Sequence, residues 1–467
     1  MEFSASISVA STTKSRVVRS TWSARSNDLE EPLTYRAVVD RFAYPVALDP
    51  PSAALFVLAF VVAAALTARR PVYGLAALVL TTPIAFAHNA LGTTITVPKA
   101  VLLGVLLGLA TYSASAPLLR KPPAPLLLGA LALLFFVTTL TLLDAAHRGA
   151  VVREALKVAE YAATFVAAFL CYALDPQDAP LVGAASIAAI FVALSALAQE
   201  IIGAPSGLYI GSAIVPRIAG LLEGPNQLAG YCEIAVATLG AWAFVRRSPL
   251  LDAALALTVF ADVLTFSRAG WGGLAVVVVV LALVGGKRTW QALRPGLLGL
   301  IAGALGAVWW AIYAHSPAVL RASLEGSFYA GGVGNRDELW RAAWKMWLGR
   351  PILGVGAGNF ELSLPAYGLF GVRTHANSWY LQSLAEGGIL LFSATLAVLA
   401  AILASLTEFR PLRRLRAASP WVVAALAATV ALALHQVADY LVFYPKVGGA
   451  WWLLVGIAAA ALSAASS

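Results

Sequence analysis

Three arginines stand where the chain bends: Arg217 in IVPRIAGLLEGPNQLAG, Arg268 in LTFSRAGWGG, and Arg336 at the head of NRDELWRAAWKMWLGRPILG. Each lies beside a helix end or a glycine-containing turn. A guanidinium carries five N–H donors in a planar fork, so three of them on one side of a membrane would suit an anion with several oxygens, a diphosphate above all. His375 opens a polar and aromatic run, HANSWYLQ, followed by Asn377, Trp379, Tyr380 and Gln382. An imidazole with a near-neutral pKa is the usual group for taking a proton from a hydroxyl. Asp439, in LHQVADYLVFYP, lies toward the end of an apolar run, where an acid needs a partner or water. Each of these residues has a plainer reading: an arginine at a membrane boundary commonly snorkels to head groups, and a lone histidine is more often structural. His88, His147 and His315 lack a comparable neighbourhood, and for them the structural reading stands.

What must position these residues is set by composition. The chain has 467 residues, 60% of them hydrophobic and 12% charged, with a mean hydropathy of +0.81, which no soluble domain hides in an ordinary core. Apolar runs at 52–67, 72–87, 98–113, 125–143, 151–174, 180–202, 227–245, 250–266, 271–284, 296–314, 388–406, 421–441 and 448–464 approach the roughly 20 residues that cross a bilayer as a helix. The expectation is an all-α polytopic membrane protein with about 12–13 transmembrane helices. Most helix centres read as almost free of charge.

The net charge of +9 is spread over short connections rather than a nucleic-acid face. Arg69 and Arg70, Arg120 and Lys121, Arg246 and Arg247, Lys287, Arg288 and Arg294, and Arg410, Arg413, Arg414 and Arg416 fall in alternate loops, which the positive-inside rule assigns to the cytoplasm. The intervening connections, with Arg217, Arg268 and Arg336, then face outward. Parity over thirteen crossings also exports the N-terminal tail, although its basic, Ser/Thr-rich composition fits disorder inside the cell and it has no signal-peptide core.

The domain reading is a tail over 1–50, transmembrane helices over 51–314, an external subdomain over 315–387 and C-terminal transmembrane helices over 388–467. The external segment is by far the longest connection, and its length alone suggests function. Leu339, Ala343, Met346 and Trp347 recur at helical spacing within it, with Arg336 and Asp337 in the first turn and Pro351 as the stop. Cys171 and Cys232 fall within or beside helices and read as small buried residues, neither disulfide nor metal ligands. No fixed-period repeat and no Gly-rich phosphate loop is visible.

The ordered set SRAG, then NRDELWRAAWKMWLGRPILGVGAGNF, then HANSWYLQSLAEGGIL resembles the O-antigen ligase and O-antigen polymerase superfamily. The upstream RIAGLLEGPNQLAGY is similar to a turn of that family, with Gly-Pro-Asn here where Asn-Pro-Asn is common; together the motifs cover about half the chain, from 216 to 445. The resemblance implies a GT-C-like glycosyltransferase in the bacterial inner (plasma) membrane with its active site facing the periplasm. Its donor would be a glycan on undecaprenyl diphosphate and its acceptor a lipid- or sugar-linked hydroxyl, with no cofactor and no nucleic acid. Carried over by motif, Arg217, Arg268 and Arg336 bind the diphosphate, His375 is the catalytic base, and Asp439 and Asn377 support it. An inverting, metal-independent reaction suits this set: arginines can neutralise the leaving group, and the chain has no Asp-X-Asp pair to hold a divalent ion. The competing class is a transporter or flippase for lipid-linked glycans, which should show internal repeats and charges near the bilayer midplane. Ligase and polymerase share this chemistry and are not separated by the motifs.

Overall fold

A computed structural model describes residues 50–84, 86–90, 93–113, 124–202, 206–210, 213–286, 288–313, 336–372, 374–408 and 418–465. The 1–49 tail, Arg120, Lys121, Lys287, His315, Arg373 and the cluster of Arg410, Arg413, Arg414 and Arg416 lie outside the described residues. The helices belong to one compact unit, residues 48–88 and 94–467; a second, residues 1–47 and 89–93, falls almost wholly outside the description.

In chain order the described helices are α1 (Pro50–Arg69), α2 (Pro71–Thr81), α3 (Val97–Ser113), α4 (Pro125–Leu140), α5 (Arg148–Leu174), α6 (Asp178–Ile202), α7 (Pro225–Ala243) and α8 (Pro249–Leu264). They continue as α9 (Arg268–Gly285), α10 (Arg288–Tyr313), α11 (Arg336–Gly349), α12 (Phe360–Ser363), α13 (Trp379–Thr407), α14 (Pro420–His435) and α15 (Pro445–Ala465). The short strands are β1 (Ala87–Ala90), β2 (Thr93–Thr96), β3 (Ser206–Ile210) and β4 (Ala213–Arg217), and β3 and β4 pair antiparallel with Ser206 opposite Arg217. Punctuation is local: Pro stands in the first turn of α4, α7, α8 and α14, and Ser248, Ser267 and Ser378 cap α8, α9 and α13 by accepting the N–H of Leu251, Gly270 and Leu381.

Every one of the thirteen apolar runs coincides with a helix, and eight helices are long and apolar enough to cross a membrane. This is an all-α polytopic membrane protein. Several runs differ from their expected bounds: that at 421–441 stops as a helix at His435, and that at 296–314 starts as a helix at Arg288. The run at 72–87 forms only α2, whose 11 residues reach about 16 Å, roughly half of the ~30 Å hydrocarbon core. The crossing expected from 388 starts at Trp379, and Gly388, with φ 58°, interrupts it as a kink. Polar sequence around Glu386 disguised that first stretch as loop.

The connections sort into two ends, and the sorting follows their parity. At one end Arg70, between α1 and α2, grips Asp175, between α5 and α6, through bonds of 2.8 and 3.1 Å, and Arg247 after α7 reaches the Gln291 carbonyl after α9. At the other, the connection between α4 and α5 meets the long segment after α10: the side chain of Asn359 accepts the His147 N–H at 2.9 Å and donates to its carbonyl at 3.2 Å, while Arg350 donates to the Asp144 carbonyl. Alternate loops therefore share an end, as a chain crossing back and forth requires.

The long segment has its own small core, in which Leu339, Ala342, Ala343 and Met346 of α11 pack with Val355, Phe360, Leu364, Ala376 and Ala385. Its glycine-rich turn fills the α13 kink. Val355 and Gly356 donate to the carbonyls of Ala385 and Glu386, and Ile389 donates to that of Pro351. A Cβ at Gly354, where φ is +62°, would lie 2.4 Å from the Glu386 carbonyl carbon, so only glycine allows this approach.

Candidate functional site: an arginine cluster beside a histidine

The end of the bundle that receives the connections before α7, before α9, before α11, before α13 and after α14 holds all the residues singled out by sequence. Arg217 closes β4, where the chain leaves the hairpin for a turn with Gly220 at φ +60°. Its Nε donates to the Thr265 carbonyl at 2.7 Å, at the end of α8, and one terminal nitrogen donates to Asn226 Oδ1 at 2.8 Å. Asn226 in turn donates through Nδ2 to Asp439 Oδ2 at 2.6 Å. The other Asp439 oxygen accepts the Tyr440 N–H at 2.6 Å. The chain Arg217–Asn226–Asp439 thus joins three connections far apart in sequence.

Arg268 and Arg336 are each the first residue of a helix, α9 and α11. The positive end of each helix dipole adds to the guanidinium there, so both positions are attractive to anions. Arg217 lies within electrostatic reach of both Arg268 and Arg336. Burial, followed by the charges of Arg336 and Arg268, pushes the Arg217 guanidinium down to about 10, against the opposing pull of Asp439. Like charges near one another repel, and a bound anion would offset that repulsion.

His375 is mostly buried, facing Tyr440, Phe443 and Tyr444 at ring separations between 5.7 and 5.8 Å. Its Nδ1 accepts the Asn377 N–H at 3.2 Å, so the neutral ring carries its proton on Nε2, which lies 2.9 Å from Tyr444 Oη. Burial lowers the His375 pKa, with Asp439 pulling the other way and Lys157 and Arg336 reinforcing the fall. Burial also holds the Tyr444 phenol above its ordinary range. Asn377 acts here through its backbone, in the left-handed region at φ 49°. Phe266, one residue before the Ser267 cap, has φ 50°. Of the four non-glycine residues at positive φ among the described residues, two lie at or beside site residues, and such conformations cost on the order of 1–3 kcal/mol and persist only where the surroundings impose them.

The structure brings Arg217, Arg268, Arg336, His375 and Asp439 into one electrostatic neighbourhood, with Asn377 beside His375. Residues 253–396 match the family model for O-antigen ligase. That match supports the superfamily resemblance and an O-antigen ligase-type glycan-transfer function in a multi-pass membrane protein. It includes Arg268, Arg336, His375 and Asn377; Arg217, Asn226 and Asp439 fall outside it. No curated protein matches the chain.

Four participants escaped the sequence reading. Asn226 stands in the GPN turn, where the side chain that links Arg217 to Asp439 was in view without its role. Tyr444 follows an apolar run and resembles a belt aromatic. Lys157 lies inside α5, bonded to both oxygens of Glu154 and 3.9 Å over the Phe443 ring, and Lys446 pairs with Glu223 at 3.3 Å. Helix interiors were expected to be nearly charge-free, yet Glu233 and Asp262 are fully buried in α7 and α8. Their single acidic letters in long apolar runs gave no sign that they converge.

Proposed function

We propose that this protein transfers or polymerises glycan from an undecaprenyl-diphosphate-linked donor onto an acceptor sugar hydroxyl at the outer face of the inner membrane, with inversion and without a metal ion. The observation that supports the reading is that Arg217, bonded through Asn226 to Asp439, lies within electrostatic reach of Arg268 and Arg336, and that Arg336 and Asp439 also act on His375. The arginines hold the diphosphate and neutralise the charge that develops as the glycosidic oxygen leaves. His375 takes the acceptor proton. Asp439, anchored by Asn226 and the Tyr440 N–H, offsets the imidazolium. The external subdomain expected over 315–387 supplies Arg336 and His375 from its described residues.

Purified protein in detergent, given a lipid-linked repeat unit with and without a candidate acceptor, tests the reading. The expected product is acceptor-linked glycan for a ligase, or a ladder without added acceptor for a polymerase, and EDTA leaves either unchanged. Activity lost in EDTA and restored by magnesium or manganese defeats the arginine-only account. The outward face is checked separately. With Cys171 and Cys232 replaced, a cysteine at the exposed Ala366 should react with an impermeant thiol reagent in intact spheroplasts, and protection there would reverse the topology.

A further inference from the structure

Among the described residues, the small core of the external segment uses only one of the two apolar flanks of α11. Leu339, Ala342, Ala343 and Met346 face that core, while Glu338, Arg341 and Lys345 form an exposed charged flank. On the third flank Trp340, Trp344, Trp347 and Leu348 follow one another at helical spacing. Trp344 is 48% exposed and Leu348 60%, and Ile352, just past the helix, is 62% exposed. Trp340 and Trp347 are half-buried beside them, with the Trp344 and Trp347 rings 4.6 Å apart.

The C-terminal end of α11 is pinned where two crossings reach the edge of the bundle. Arg350 donates to the Asp144 carbonyl at 2.7 Å, directly after the crossing Pro125–Leu143. Ile389 donates to the Pro351 carbonyl at 2.8 Å, directly after the Gly388 kink. From that kink, residues 389–407 of α13 extend about 28 Å, close to the ~30 Å of hydrocarbon, which sets Ile389 near the membrane boundary. A Cβ at Gly388 would lie 2.4 Å from the Ile352 carbonyl carbon, so the exposed Ile352 and Ile389 adjoin there. Leu143, at the end of its crossing, is exposed as well. The flank of Trp344, Leu348 and Ile352 therefore continues the apolar surface that the crossing helices turn to lipid.

We propose that α11 is an interfacial helix, lying along the bilayer boundary at this end of the bundle with Trp344, Leu348 and Ile352 in the adjoining leaflet and its charged flank in water. Indole rings favour that depth, where an apolar body and a polar N–H meet hydrocarbon and head groups together. Leu348 and Ile352 gain by leaving water for hydrocarbon, whereas a sugar laid against them would lose hydrogen bonds of its own. With Arg341 and Lys345 on the neighbouring flank, the helix has the composition of one that rests in a membrane surface. The consequence for the site rests on the glycosyl-transfer reading. Arg336 is the first residue of α11, so a helix lying in the interface holds that guanidinium at head-group depth, where the diphosphate of a membrane-embedded donor lies.

Single-cysteine variants with Cys171 and Cys232 replaced, spin-labelled and placed in nanodiscs of phosphatidylethanolamine and phosphatidylglycerol, test the placement. Each label reports its depth by collisions with oxygen, which partitions into lipid, and with a nickel chelate, which stays in water. Glu338, Trp344, Lys345, Leu348 and Ile352 are all exposed, so the labels leave the core intact. Labels at Leu348→Cys and Ile352→Cys should meet oxygen more than the chelate, and those at Glu338→Cys and Lys345→Cys the reverse. An apolar flank that meets the chelate as freely as Lys345→Cys lies in water and overturns the proposal. Labels closed to both reagents mean that protein covers the flank, and closure of Trp344→Cys that appears only on adding a lipid-linked glycan assigns the flank to sugar; either result overturns it too. The depth of Arg336 is read in turnover. Leu348→Asp should weaken the apparent affinity for a donor embedded in the nanodisc by on the order of tenfold and leave that for a short-chain, water-soluble diphosphate donor unchanged. Equal loss for both donors removes the positioning role. Absence of turnover in the wild-type protein with every donor refutes the glycosyl-transfer reading, while the labels still decide where α11 lies.

Discussion

His375 and His435 are the same side chain in two opposite settings. His375 sits in a connection between helices, its Nδ1 occupied by a backbone N–H and its Nε2 directed at a phenol. His435 ends a buried helix, its Nδ1 against a carboxylate and its Nε2 without a partner among the described residues. The first is partly buried, which lowers its pKa, with Asp439 pulling against that fall and Lys157 and Arg336 adding to it. The second is sealed from substrate yet surrounded by acids. Greater exposure and an acid partner at Nδ1 are divided between the two rings.

The largest effect belongs to the more accessible partner of this comparison. His375→Ala should lower turnover by on the order of 10²–10⁴ while leaving the lipid-linked donor bound. The pH dependence sharpens the point. Burial lowers the His375 pKa, so the neutral, proton-accepting ring persists below the ordinary value near 6.5, and kcat/KM should stay flat through that pH and fall only on further acidification. An acid limb centred above it contradicts the positive surroundings described here. Near-normal turnover in folded His375→Ala makes the imidazole a packing residue and moves the first proton transfer to Asp439.

Arg336→Ala should fail in another way. Loss of one guanidinium from the anion cluster should cost about 10²–10³ in kcat and weaken donor binding as well. Arg336→Lys should recover only part, because an ammonium keeps the charge but not the planar fork. Native mass spectrometry of the donor complex separates this from the His375 phenotype. Unchanged donor affinity in Arg336→Ala would detach Arg336 from the diphosphate and leave Arg217 and Arg268 to bind it.

The two regions were not equally legible in sequence. Long apolar runs write their helices directly, because crossing ~30 Å of hydrocarbon without water forces backbone bonds inward, and all thirteen runs are helical. The arginines stood out because charge is rare in this chain and each sits at a glycine- or proline-marked break. Asp439 stood out for the same reason. Glu233, Asp262 and His435 did not: their convergence depends on how α7, α8, α9 and α14 rotate about their axes, which nearly uniform apolar sequence leaves unspecified. The kink at Gly388 was equally hidden, since the pairing of Ile389 with Pro351 and the glycine at 354 that fits beside it come from a segment read as a separate loop.

The smallest effect concerns how His375 is aimed. Asn377 lies at φ 49°, and its contribution is the backbone N–H that reaches Nδ1, so its side chain should be replaceable. Asn377→Gly keeps the N–H and adopts the left-handed region freely, and its turnover should stay within about threefold of wild type, a change of less than ~1 kcal/mol. Asn377→Ala must hold the same angle with a Cβ and should lose about 1 kcal/mol of local stability, seen as faster hydrogen exchange around 375–378. Asn377→Pro removes the N–H and cannot reach that φ, so it should approach the His375→Ala rate. Should Asn377→Gly instead lose activity as deeply as the proline variant, the amide side chain itself reaches the substrate, and the histidine is aimed by Tyr444 alone.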